Sequence, residues 1–176
     1  MKNLSRRVLA FGAGAVFIGE TLPRLASAQP ARPSKTRLIL LGTGGGTRPR
    51  KTRVSSSQVI LVSEAAYVFD CGIGVTTQLA RAGVRLDALR HIFITHHHSD
   101  HNAEYGPLLL IAWGSGLRTR VDTWGPPPLA RMTELFLAMN EYDIRTRTDD
   151  EGRVPFAPLI HPHELNTGGV VLRAEG

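Results

Sequence analysis

The chain has 176 residues, of which 42% are hydrophobic and 20% charged, with a formal net charge of +6. Those values are ordinary for a globular rather than a disordered chain and describe one domain with enough apolar material for a true core, while excluding no functional class by themselves. The single cysteine, Cys71, excludes an intrachain disulfide and reads as a small buried residue rather than a reactive thiol.

Residues 1–28 have the layout of a cleaved export signal: a basic start, an apolar run from Val8 to Gly19 and the small-residue exit Ala26-Ser27-Ala28. The apolar run is shorter than the ~20 residues a membrane span needs. Export to the periplasm or the exterior, without a stable membrane anchor, is therefore expected. Arg6-Arg7, between Ser5 and Val8-Leu9, resembles a twin-arginine signal, although Ala10 stands where that pattern prefers lysine and the general secretory route stays open. Removing the signal takes away Lys2, Arg6, Arg7 and Arg24 together with Glu20 and leaves a charge of +3, which weakens the case for a nucleic-acid partner. Residues 29–36 form a linker, and 37–176 the domain.

The first core strand is expected at Arg37–Leu41, ending in the glycine-rich turn "GTGGG". No Gly-Lys-Ser/Thr follows it, and Thr47 occupies the last glycine position of the dinucleotide pattern, so a tight turn beside a site is the better reading. Arg48, Arg50, Lys51 and Arg53 then make a basic, solvated loop able to attract an anionic substrate. Two apolar runs at 58–62 and 66–70, separated by Ser63, Glu64 and Ala65, predict an antiparallel hairpin that delivers Asp70 to a strand end. Ile73, Val75, Leu79 and Ala82 recur at helical spacing up to Gly83.

A short strand, "HIFIT" at 91–95, runs directly into "HHHSDH" at 96–101. Beyond it the pattern predicts a helix capped by Asn102 and interrupted at Gly106-Pro107, then a strand in "RVDTWG". A stronger helix starts at Pro127-Pro128, with Leu129, Met132, Leu135, Phe136 and Met139 as one core-facing stripe. Residues 145–158 read as polar and irregular, "LIHPHEL" as a connector, and "GGVVLRAEG" as a last strand. The order of elements is that of a mixed α/β domain.

Residues 96–101 carry the chemistry. If the chain leaves the strand extended, side chains alternate, so His96 and His98 face one side and can chelate one ion while His97 faces the other. Asp100 and His101, just past the turn, are placed to hold a second ion. Imidazole nitrogen and carboxylate oxygen both suit zinc at about 2.0–2.2 Å. Two ions ~3.5–4 Å apart would acidify a bridging water, which is hydrolase chemistry, and loss of metal in mild acid is expected because the ligands must be unprotonated.

"THHHSDH" matches the His-x-His-x-Asp-His signature of the metallo-β-lactamase superfamily, and "LGTGGGTRPR", "VFDCG" and "LRHIFITHHHSDHN" resemble its ribonuclease Z and arylsulfatase-like branch. The resemblance covers most of the chain after Lys35 and implies an αββα sandwich with a two-zinc site. It implies His96 and His98 on the first metal, Asp100 and His101 on the second, Asp100 as proton acceptor for the attacking water, and Asp70 orienting the ligand loop by hydrogen bonding. The further histidine, bridging aspartate and final histidine that such a site uses are expected beyond Gly176, so the chain reads as the N-terminal half of the sandwich. A half of that kind exposes a sheet face and a strand edge, and pairing with a second copy is one way to cover them. His161 and His163 are assigned no ligand role. The function implied is a metal-dependent hydrolase cleaving an ester, sulfate ester or phosphodiester by a metal-bound hydroxide. The alternatives are a ribonuclease Z-like endoribonuclease, which export disfavours, and a non-catalytic metal-binding fragment.

Overall fold

The computed structural model describes residues 36–173; the expected export signal and most of the linker lie outside the described residues. Six strands form one sheet in sequence order: β1 (Thr36–Gly42), β2 (Ser57–Val62), β3 (Ala65–Phe69), β4 (Leu89–Phe93), β5 (Val121–Gly125) and β6 (Ile160–Glu164). The first three pair antiparallel and the last four parallel, so β3 joins the two halves. The expected hairpin is β2–β3, closed by a turn in which Ser63 takes a positive φ of 53°.

Helices fill the crossovers: α1 (Val75–Arg81), α2 (Ser99–Asn102), α3 (Tyr105–Gly114), α4 (Leu129–Met139) and α5 (Glu141–Glu151). Period-two burial along the strands separates the two sheet faces. Val59, Leu61, Ala66, Val68, Ile92 and Val121 are buried in a cluster with Val75 and Leu79 of α1 and Leu108, Leu109 and Ala112 of α3. The alternate residues form an aromatic ladder on the other face. Phe69 stacks on Phe93 at 4.6 Å, Tyr67 on His91 at 4.9 Å and Trp124 on His163 at 4.1 Å between ring centroids.

Several expectations are corrected. Asn102 caps nothing; it ends α2, and its Nδ2 meets His97 Nδ1 at 3.0 Å. Gly106-Pro107 does not interrupt α3 but lies in its first turn, where proline's missing N–H has no intrahelical carbonyl to meet. A Cβ at position 106 would lie 2.2 Å from the Phe136 ring, so glycine there lets α4 approach α3. The α4 stripe is not all core: Leu129 and Thr133 are buried, whereas Leu135 and Met139 are exposed.

The segment read as irregular begins inside α5, a helix polar all round and braced by Arg147 against Asp143 and Glu151, one turn away on either side. "IHPHE" is not a connector but β6, and Pro162 is tolerated because β6 is an edge strand. Val170–Leu172 form no strand; they line a cavity with Ile60, Val62, Tyr67, Phe69 and Phe93 on the ladder face.

Burial pushes the His91 imidazole below its ordinary range, with Asp122 opposing the shift and Arg120 reinforcing it. The unfolded chain therefore binds this proton at a higher pH than the folded one, so stability is lost as pH falls through the ordinary histidine range. His91→Phe, which keeps a ring against Tyr67, should reduce the drop in urea midpoint between pH 7.5 and 5.5. An unchanged drop would assign it to other groups.

Candidate metal centre

Every group of the centre stands at the C-terminal end of a parallel strand or in the loop that faces it, the usual place for a site in such sheets. Asp70 follows β3, His96 to His98 follow β4, and Pro126 follows β5. Asp70 takes φ 59°, a left-handed conformation that aspartate tolerates better than most residues, and this turns its carboxylate inward, where it is 3% exposed.

That carboxylate organises the loop. Its Oδ1 accepts the Thr95 amide at 2.9 Å and the Thr95 hydroxyl at 2.9 Å, and its Oδ2 meets His101 Nδ1 at 2.7 Å. A carboxylate only accepts, so the one hydroxyl hydrogen of Thr95 goes to Asp70, and Thr95 Oγ1 is left to accept from His96 Nδ1 at 3.0 Å. The network places a hydrogen on Nδ1 of both His96 and His101, so the tautomer that leaves Nε2 free for a ligand is the one each neutral ring adopts.

Those bare nitrogens face other donors. His96 Nε2 lies 3.2 Å from His98 Nδ1, and His101 Nε2 lies 3.4 Å from Asp100 Oδ2. Ligands about 2.05 Å from a tetrahedral ion are about 3.3 Å from each other, so each pair has the spacing of two donors on one ion. Two lone pairs held that close repel unless a proton or a cation lies between them. The imidazoles of His96 and His101 approach to 4.1 Å between ring centroids, which sets the two pairs side by side. Among the described residues, no group of three or more His, Cys, Asp or Glu side chains is arranged around one point. The donors come as two adjacent pairs, each a partial shell, and their type and spacing fit divalent cations of the zinc class.

Asp100 is 6% exposed and is held from the glycine-rich turn, whose Gly46 amide donates to its Oδ2 at 2.6 Å. This bond keeps the Asp100 carboxyl below the usual carboxylate range, with burial opposing it and the nearby His101 and His98 assisting. The turn carries the basic loop to the site: Gly44, Gly46, Arg48, Arg50 and Arg53 line one cleft, and Arg50 is fixed by donating to Gly45 O at 2.8 Å.

His97 points away from the pairs, as the alternation predicts. Its Nε2 meets Pro126 O at 2.7 Å and ties the loop to the end of β5. His161 and His163 stand apart from the centre, His161 against Pro158 O and His163 against Asp122 Oδ1 at 2.7 Å. Cys71 is fully buried, and burial first, then Asp70 and Glu104, pushes its thiol well above the ordinary range, so it is inert as a nucleophile. Sequence reasoning missed Gly46, Thr95 and Glu104. The glycine-rich turn was a signal for the first; nothing in the local pattern marks the other two.

The family model of the anti-Pycsar protein Apyc1 matches residues 36–104. A ribonuclease Z of Mycobacterium sp. (strain KMS) is 33% identical over 133 residues, covering 74% of this chain and 46% of the relative. A ribonuclease Z of Cyanothece sp. (strain PCC 7425 / ATCC 29141) is 36% identical over 121 residues, covering 66% and 38%. The chain thus spans about half or less of the length of these curated relatives. Among solved structures, the short form of human tRNase Z superposes with a TM-score of 0.55 and 29% identity, over 59% of this chain and 39% of that one. A long-form RNase Z from yeast gives a TM-score of 0.54 at 17% identity, over 72% and 17%, a likeness of fold alone.

Proposed function

We infer that this chain is the metal-binding part of a phosphodiester hydrolase of the metallo-β-lactamase superfamily, a reading supported by the ribonuclease Z enzymes it is similar to. The observation that carries the reading is the pair of donor spacings, 3.2 Å for His96–His98 and 3.4 Å for Asp100–His101. In this reading His96 Nε2 and His98 Nδ1 hold one divalent cation, and Asp100 Oδ2 with His101 Nε2 a second. Zinc is the expected metal, because all four donors are imidazole nitrogen or carboxylate oxygen. Two such ions, when bound, lower the pKa of water toward neutrality and stabilise the oxygens of an in-line displacement.

The chain's own residues do the rest. Asp70 and Thr95 keep the ligand nitrogens of His96 and His101 free of hydrogen. Gly46 keeps Asp100 ionised, so that it can bind metal and take a proton from an attacking water. Arg48, Arg50 and Arg53 supply positive charge beside the site, which suits a phosphodiester better than a neutral ester. The relatives named ribonuclease Z favour a nucleic-acid phosphodiester, whereas the export layout of residues 1–28 favours a small substrate outside the cytoplasm.

Metal analysis of the full chain and assays with bis(4-nitrophenyl) phosphate, 4-nitrophenyl sulfate and a structured RNA test this reading. Bound zinc is expected, with phosphodiester turnover that falls by about 100-fold or more in His96→Ala and in Asp100→Ala. A second reading, metal binding without turnover, is favoured by the absence of any three-donor group among the described residues. Zinc bound with no hydrolysis would select it, and no zinc at all would end both.

A further inference from the structure

Glu104 has no place among the metal donors, yet its carboxylate is committed to the other side of the centre. Its Oε1 accepts the Gly74 amide at 2.7 Å and its Oε2 the Thr76 amide at 3.4 Å, across thirty and twenty-eight residues of sequence. The backbone of the same residue reaches the same loop, since Glu104 N donates to Cys71 O at 2.8 Å. Cys71 N in turn donates to His101 O at 2.6 Å, and the Asp70 carboxylate meets His101 Nδ1 at 2.7 Å.

These bonds close a ring. One arc is the loop Asp70-Cys71-Gly72-Ile73-Gly74; the other is His101-Asn102-Ala103-Glu104. Side-chain bonds join them at both ends and backbone bonds in the middle. Within the ring Gly72 leaves no slack: a Cβ there would lie 2.3 Å from Asp100 O and 2.5 Å from Ser55 Cβ. The position of Asp70 against His101 thus depends on how far the loop is drawn toward the segment carrying Asp100 and His101. At the Gly74 end, the only side chain among the described residues that draws it there is Glu104.

We propose that Glu104 is a positioning residue for the Asp100–His101 pair, acting through the loop that carries Asp70 rather than by touching the metal. The proposal rests on the metal reading given above and goes beyond it by assigning function to a carboxylate outside the signature. A merely structural role, holding the start of α1 through the Gly74 and Thr76 amides, would cost stability and leave metal affinity alone. A positioning role costs affinity even where the fold survives.

The test is zinc affinity of the full chain, measured by competition with a chromophoric chelator, beside thermal unfolding of the metal-free protein. Glu104→Ala should weaken zinc binding by about 10–100-fold, the usual cost of losing a group that orients a ligand. Glu104→Gln keeps an acceptor oxygen for Gly74 and should stay within about threefold of the parent. Ala80→Gly, on the exposed side of α1, lowers helix stability without touching the ring and should leave affinity unchanged. Parental affinity in Glu104→Ala would overturn the proposal while leaving the metal reading intact. An equal loss in Ala80→Gly would also overturn it, as would a Glu104→Gln loss as large as that of Glu104→Ala. A parent chain that binds no zinc would sink the metal reading itself and this inference with it.

Discussion

Asp70→Ala is expected to weaken zinc binding more than any other substitution of a residue that does not itself contact the ion. The Asp70 carboxylate receives His101 Nδ1 directly and His96 Nδ1 through the Thr95 hydroxyl, so one side chain fixes the tautomer of a histidine in each donor pair. Losing one orienting partner costs about 10–100-fold in metal affinity, and here two imidazoles lose theirs at once. The substitution also takes the acceptor from the Thr95 amide and hydroxyl, but Thr95 is exposed and water can take its place, so the main loss of stability comes from the emptied Asp70 site. Asp70→Asn separates the effects. It keeps the volume but replaces an acceptor oxygen with a donor, which must face either Thr95 or His101. Affinity should therefore fall with less loss of stability. Zinc competition titrations on both variants, with urea unfolding as the second axis, check this. Parental affinity in Asp70→Ala would remove the aspartate from the centre altogether.

Gly72→Ala should give a large loss of stability at the site for a small change of sequence. The added methyl would lie 2.3 Å from Asp100 O, 2.5 Å from Ser55 Cβ and 2.9 Å from Ser56 O. Two of those atoms are backbone and none belongs to a flexible side chain, so the strain must be relieved by parting the loop after β3 from α2 or from the start of β2. Overpacking a tight site costs about 1–3 kcal/mol, and the rigidity of these neighbours places this case at or above the upper end. Gly45→Ala is the control, because a Cβ there meets nothing within 4 Å. Urea midpoints should drop markedly for position 72 and stay within error of the parent for position 45. A stable, zinc-competent Gly72→Ala would show that the loop can yield to a methyl group and would contradict its role as a tight contact.

What could be read in the sequence, and what could not, divides by the range of the interactions. Period-two apolar runs and the Ser63-Glu64-Ala65 break mark the β2–β3 hairpin, because strand alternation and turn chemistry are local. The cluster at 96–101 carries its own geometry: extended backbone after β4 sends His96 and His98 one way and His97 toward Pro126. By contrast, α5 shows no apolar face in EYDIRTRTDDE and is held by pairs one helical turn apart, so periodicity fails to find it. Pro162 hides β6 for a different reason. Proline argues against a central strand, and only the sheet order shows that this strand lies at an edge. Val170-Val171-Leu172 has the composition of a strand but no partner in the sheet, and instead lies along apolar side chains of β2, β3 and β4. In the centre itself, Gly46, Thr95 and Glu104 act on groups 54, 25 and 30 residues away. Only the completed fold makes those contacts, and no local pattern announces them.

X-ray absorption at the zinc edge of the zinc-loaded full chain tests most directly whether the paired donors hold a divalent cation. A shell of nitrogen and oxygen at about 2.0–2.1 Å is expected, with imidazole outer-shell scattering that is lost in large part when His96 and His98 are both replaced by alanine. A spectrum without imidazole scattering, or one unchanged by that double substitution, would contradict the assignment.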